Sequence, residues 1–192
     1  MQRFLTTVLA IAVIVAAVSF VTAPYFAFLA LRSAAASQDV EGLSKLVDYD
    51  AVRSSLRTQI LGAAAQTPAP SFTENPIGAI EHAIAPMAPT PQVEGYLTPG
   101  GLYALTMGEG HNASKTTTPP QGASSQSGPW PAIRHWGVDR SALAVASKDP
   151  AWDETVFTFE RQGIFRWRLV QIHLPGKIGA PAKSVAVPAP AK

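Results

Sequence analysis

The chain opens on an unbroken apolar run: from Phe4 to Leu31 there is no charged residue, with Arg3 before the run and Arg32 ending it. A helix needs roughly 20 apolar residues to cross the hydrocarbon core of a bilayer, so this run predicts a transmembrane helix. It has no polar face, which argues against a buried helix of a soluble core. The positively charged start favours an inward N-terminus and an outward domain, with Arg32 opposing that bias. Pro24, followed by Tyr25, Phe26 and Phe28, marks the outer interface, where aromatic rings suit a mixed environment. The rival reading is a cleaved signal peptide, because Ala17-Val18-Ser19 and Val21-Thr22-Ala23 both offer small residues at cleavage spacing. Pro24 follows the second site, and apolar character runs past both, so an uncleaved signal-anchor over residues 1–24 is the expectation.

Past Arg32 the apolar positions take helical spacing. Asp39 is a good N-cap with Glu41 in the first turn, and Leu43, Leu46 and Val47 share a face. Asp48 or Asp50 caps a second helix carrying Val52, Leu56 and Ile60, with Arg53 and Arg57 on an adjacent wet face and Gly62 as its stop. Residues 66–76 read as loop, Ile77–Ala85 as a short helix, and Pro86, Pro89 and Pro91 as a break. Thr98-Pro99 starts a helix bearing Leu102 and Leu105, which Gly100-Gly101 should keep short and weak. Residues 108–129 are Gly-, Ser-, Thr-, Pro- and Gln-rich and read as a disordered insertion.

The period then changes to two. Ile133–Val138, Ala142–Ala146, Thr155–Phe159 and Phe165–Leu174 are strand candidates, the last pair a hairpin. An even-numbered loop such as Gln162-Gly163 sets Phe159 opposite Arg166. A three-residue loop, Gln162-Gly163-Ile164, instead pairs Phe159 with Trp167 and Phe157 with Leu169, leaving Glu160 opposite Arg166. Several matched cross-strand pairs at a few tenths to about 1 kcal/mol each favour the second. The fold class is therefore α+β: an N-terminal transmembrane helix, then helices packed on a C-terminal antiparallel sheet ending in a hairpin. The domain spans residues 25–175, and residues 176–192 form a disordered Pro/Ala/Lys tail. Its expected core is Leu43, Leu46, Val47, Leu56, Ile60, Phe157, Phe159, Trp167 and Leu169.

Composition narrows the chemistry. The 192 residues carry a net charge of +2 with 15% charged positions and no basic block, so nucleic acid is not an expected partner. With no Cys there are no disulfides, lipid-modified cysteines or thiol nucleophiles. Asp48-Tyr49-Asp50 has cation-binding spacing, but helix capping explains it more simply. His82, His111, His135 and His173 lack metal-ligand spacing, and Gly108-Glu109-Gly110 lacks the flanking elements of a phosphate loop. His135-Trp136 with Arg134 suits a pocket wall or a surface strand. Asp153-Glu154 reads as a solvated carboxylate pair. Arg161, Arg166 and Arg168 form the only local basic cluster, which a salt-bridged hairpin face explains better than attraction to anionic lipid head groups. No catalytic, cofactor-binding or metal-binding residue is assigned, and no cofactor is expected.

The order Ala23-Pro24-Tyr25, Leu31-Arg32, Asp39-Val40-Glu41-Gly42-Leu43 and Leu46-Val47-Asp48-Tyr49 resembles a family of bacterial membrane-anchored envelope proteins known only as a domain of unknown function. Thr98-Pro99-Gly100-Gly101-Leu102 resembles its middle motif, although an acidic residue and better helix formers are expected where the glycines stand. Phe159-Glu160-Arg161-Gln162-Gly163, Trp167-Arg168-Leu169-Val170 and Leu174-Pro175 resemble its closing hairpin. The resemblance implies the cone-shaped fold of nuclear transport factor and cystatin relatives, and brings no functional residues. The expected partners are the lipid bilayer, through the N-terminal helix, and an unidentified envelope protein. The expected place is the inner membrane, single-pass, with the domain facing the periplasm or exterior; the alternative is secretion after signal cleavage. The favoured function is a non-catalytic module binding a protein or small apolar ligand near the membrane. The alternative is a small hydrolase or isomerase, for which His135, Asp153 and Tyr103 are the best available residues.

Overall fold

Each apolar stripe read from the sequence must bury itself against another element, and the solution here is a set of helices around one antiparallel sheet. A computed structural model describes residues 2–64, 91–163 and 166–176. Among the described residues five α-helices come first: α1 (Gln2–Ala36), α2 (Val40–Leu46), α3 (Tyr49–Ala64), α4 (Pro91–Leu97) and α5 (Pro99–Thr106), followed by a 3-10 turn over Gly110–Lys115. The strands β1 (Ala132–His135), β2 (Arg140–Val145), β3 (Thr155–Arg161) and β4 (Trp167–His173) form an antiparallel sheet in the order β1-β2-β3-β4. The fold is α+β, as expected. The loop at 66–76, the helix at Ile77–Ala85 with His82, and the tail from 177 lie outside the described residues.

Helix starts follow the capping chemistry. The Asp39 carboxylate accepts from the Gly42 N–H at 2.9 Å, Asp48 from the Ala51 N–H at 3.1 Å, and the Thr98 hydroxyl from the Gly101 N–H at 3.0 Å. Asp48, not Asp50, is thus the cap of α3. Two helix boundaries differ from expectation. The third helix runs on through Gly62 to Ala64, and Pro91, read as a break, is the first residue of α4, where its missing N–H costs nothing.

The greatest departure concerns α1, which continues unbroken through Pro24 to Ala36. The boundary expected between residues 24 and 25 therefore falls inside one helix with two environments. Described side chains from Thr6 to Ser19 are exposed all round. Farther along, Ala23, Phe28, Leu31, Arg32, Ala34 and Ala35 are buried in the domain core. Phe28 meets Phe157 edge-to-face at 5.3 Å, tying α1 to the middle of the sheet. The expected core is otherwise largely present: Leu43, Val47, Leu56, Phe157, Phe159, Trp167 and Leu169 are buried, and Leu46 and Ile60 partly so.

The β3–β4 register corrects both sequence alternatives. Phe159 pairs with Leu169, Glu160 with Arg168 and Arg161 with Trp167. The Gln162 N–H donates to the Arg166 carbonyl at 2.8 Å, so the pairing closes one position later along the chain than expected. This differs from the favoured register by two positions, which keeps every side chain on its expected face. A bulge then follows, with Thr158 opposite Gln171 and Phe157 opposite Ile172. It turns Ile172 and Leu174 inward and leaves Gln171 and His173 exposed. The outer edge of β4 is covered rather than open. Asp48 N–H donates to Leu169 O at 2.8 Å, Gln59 Nε2 donates to Ile172 O at 2.6 Å, and Gln59 Oε1 accepts from Leu174 N–H at 2.9 Å.

Residues 108–129, read as a disordered insertion, are ordered against the helices. All of α5 from Gly100 to Thr106 is buried, so something must cover it. The covering chain approaches backbone to backbone: Gly100 N–H donates to Thr117 O at 3.2 Å, and Thr98 Oγ1 to Thr116 O at 3.2 Å. A methyl group at Gly100 would collide with the Thr117–Thr118 backbone, and one at Gly101 with the Gly95 carbonyl. The glycine pair that lowers helix propensity is therefore what lets three chain segments meet. Arg32 closes the arrangement, its guanidinium donating to Thr106 O and Pro129 O at 2.8 Å each and to Ser127 O at 3.3 Å.

One ion pair joins α3 to α4. Arg53 Nε donates to Glu94 Oε1 at 2.8 Å, and this hydrogen bond holds the Glu94 carboxyl below its ordinary range. Because the folded value is depressed, the contribution is present above the ordinary carboxylate range and lost as pH falls through the depressed value. The Glu94 side chain is 40% exposed, so the pair contributes only a few tenths to about 1 kcal/mol. Glu94→Gln should thus lower the thermal midpoint slightly at neutral pH, with the difference from wild type vanishing on acidification. A difference that grew as pH fell would contradict the sign.

Candidate functional site

The exposed half of α1 is the most distinctive surface of the chain. It is long and apolar enough to be a membrane span or a signal sequence, and its apolar window is 0% buried. From Thr6 to Val21 it measures about 24 Å at ~1.5 Å per residue, against a hydrocarbon thickness of ~30 Å. Arg32, read as the end of the span, is instead only 2% exposed inside the domain, so the apolar surface stops about ten residues earlier than the run of letters.

One end of the sheet surrounds the point where α1 enters the domain. The β1–β2 turn brings Trp136 to α1, where its Nε1–H donates to the Val21 carbonyl at 3.2 Å and its ring meets Phe20 at 6.2 Å. Pro24 supplies no N–H to the Phe20 carbonyl, which lies one residue before the carbonyl that Trp136 engages. Arg161, at the end of β3, lies over the Phe20 ring at 5.6 Å while pairing with Asp139 at 2.8 Å. Trp130 stacks on Tyr25 at 5.7 Å and is 79% exposed, and Phe26 is exposed beside it. These rings make a collar over residues 20–26 of α1, about 9 Å of its length at ~1.5 Å per residue. The sequence placed Tyr25, Phe26 and Phe28 at an interface; of these, Phe28 is core. Trp136, read from the sequence as a pocket wall or surface strand position, belongs to the collar, and nothing in the sequence marks Phe20 or Trp130 for it, because the collar is assembled from elements more than a hundred residues apart.

The residues singled out for chemistry are dispersed. His135 is exposed on the edge strand β1, Tyr103 is buried in α5, and Asp153 is exposed before β3 with its N–H donating to Gly176 O at 2.9 Å. No described cavity joins the three. His111, expected in a disordered stretch, sits in the 3-10 turn, its Nε2 2.9 Å from the Pro175 carbonyl and its ring 4.6 Å from Trp152. That polar recess, about 390 Å³, also contains Glu109, Lys148 and Asp149, and Lys148 is paired with Glu109 at 2.7 Å. A larger open recess of about 670 Å³ between α3 and β4 is lined by capping and surface side chains such as Asp48, Gln59 and Glu160. Asp48 caps α3, while Asp50 pairs with Arg53 at 3.1 Å. Glu154 is engaged by Arg134 rather than acting with Asp153. Among the described residues no group of three or more His, Asp or Glu side chains is arranged to hold a metal ion. Of the basic cluster, Arg161 pairs with Asp139, and Arg168 donates to Ser44 O at 3.4 Å and Val47 O at 3.0 Å.

No curated protein and no solved structure matches the chain. Residues 13–105, which run from the exposed half of α1 to the end of the buried α5, match the family model described as a protein of unknown function (DUF2939), so the chain is similar to a domain of unknown function over its helical half.

Proposed function

We propose that the chain is a single-pass membrane protein of the bacterial envelope whose α+β domain is a non-catalytic binding module held at the outer face of the inner membrane. The exposed, all-round apolar half of α1 carries this reading, because leaving it in water would expose far more contiguous apolar surface than soluble proteins tolerate. The aromatic collar supports it, since Trp and Tyr rings gather where a span meets the head groups. A retained helix is favoured over a cleaved one by the same geometry. Cleavage before Phe20 would remove the exposed half of α1, and cleavage before Pro24 would also remove Phe20 and the carbonyl that Trp136 engages. The cone-shaped fold of nuclear transport factor and cystatin relatives belongs to this reading, supported by helices packed against a four-stranded antiparallel sheet.

Intact-mass measurement of the membrane-extracted protein is expected to give the uncleaved chain. Loss of everything before Phe20 or Pro24 would overturn the anchor. A reporter fused after Lys192 is expected to work outside the cytoplasm; activity confined to the cytoplasm would reverse the topology.

A further inference from the structure

Beside the collar, α1 borders an apolar groove of about 410 Å³. Ala23, Phe26 and Ala27 of α1 form one wall, Leu46 and Trp167 the other. Lys45 and Arg166 stand at its edge and are shared with an adjoining polar pocket that also contains Ser44 and Arg168. We propose that groove and pocket together hold one anionic phospholipid, with an acyl chain along α1 and the phosphate between Lys45 and Arg166.

The groove has the composition of a lipid site: an apolar trough of ordinary ligand size joined to convergent cations. Trp167, 2% exposed, closes the groove on the domain side, while Arg168, beside the adjoining pocket, donates to Ser44 O at 3.4 Å and Val47 O at 3.0 Å.

Charge points the same way. The other hairpin-end arginines are engaged, Arg140 by Glu160 at 3.3 Å and Arg161 by Asp139. Arg166 has no ion-pair partner among the described residues, and the Lys45–Glu41 pair is exposed on both sides, so it holds the ammonium weakly. Continuity selects a lipid over a soluble anion. The groove begins at Ser19, on the same helix and at the same level as the collar, so its apolar wall continues the lipid-facing surface of α1. The proposal rests on the membrane reading above, which sets that level at the bilayer surface.

The full chain, reconstituted in phosphatidylcholine vesicles with and without phosphatidylglycerol, is floated, extracted in mild detergent and weighed by native mass spectrometry. One phosphatidylglycerol per chain should be retained at least tenfold over phosphatidylcholine. Lys45→Gln with Arg166→Gln should abolish that preference. Ala30→Phe, an exposed position on the groove wall, should cut retention of both lipids while leaving the thermal midpoint unchanged. Equal retention of the two lipids would overturn the site. So would displacement by inorganic phosphate alone with Ala30→Phe silent, which would mark a phosphate pocket without a lipid chain. A photocrosslinker at position 30 that captured a protein in place of lipid would also overturn it. A chain that floats yet retains no lipid refutes only this site, whereas a chain that fails to float refutes the membrane reading and the site with it.

Discussion

Phe157→Ala is expected to destabilise the domain by about 3–5 kcal/mol, the usual cost of truncating a fully buried aromatic ring. Phe157 is 0% exposed, lies mid-strand opposite Leu143 and Ile172, and takes the edge-to-face contact from Phe28. The ring therefore joins three strands to α1, and the void it leaves is bounded by strands whose ladder bonds resist collapse. Against a total stability of ~5–15 kcal/mol, such a loss removes a large share. A fall of about 10 °C or more in the thermal midpoint is expected in detergent. The Phe28→Ala, Phe157→Ala double variant should show a coupling of about 0.5–1.5 kcal/mol, the share of the ring–ring geometry beyond area burial. Additive losses with no coupling would mean that α1 does not pack on the sheet as described.

Arg32→Met should cost about 2–4 kcal/mol through a different mechanism. The guanidinium holds the carbonyls of Thr106, Ser127 and Pro129, and methionine of similar length would leave them without a donor. Each buried polar group so stranded costs ~1–3 kcal/mol, reduced where water reaches it. The loss has a location as well as a size. Amide exchange should accelerate over 124–130, because Arg32 holds the Ser127 and Pro129 carbonyls within that segment. Arg32→Lys should recover less than half the loss, since an ammonium on a shorter stem lacks the fork that reaches several carbonyls. Unchanged exchange in 124–130 on Arg32→Met would show that the segment is held by other contacts.

Both effects arise at residues whose letters say little about them. Arg32 reads as the charge that terminates a membrane run, and by local pattern that is all it can be. It is buried because α1 continues into the domain for another turn and more, and only the packing of α5 and the 127–129 carbonyls makes a site for a guanidinium there. The stretch 108–129 is the same lesson reversed. Its small polar residues resemble those of disordered chain, and they are also what allows backbone to lie against Gly100 and Gly101.

What was legible in the sequence is local. Asp39, Asp48 and Thr98 cap helices because their side chains reach amides three residues on, and that geometry needs no neighbour from elsewhere. The alternation of Phe157 and Phe159, answered by Trp167 and Leu169, determined which face of the hairpin is buried, since strand period is two whatever the loop does. The all-apolar start determined that the chain carries a membrane-length helix. Tertiary structure decided where along α1 the exposed surface ends, which register within the permitted parity the hairpin adopts, and where the bulge turns Ile172 inward. It also decided that Phe20, Trp130 and Trp136 meet in one collar and that Lys45 and Arg166 face one groove. These depend on contacts between segments far apart in the chain, whose free energy comes from shape-matched burial, and no window of neighbouring residues contains that information.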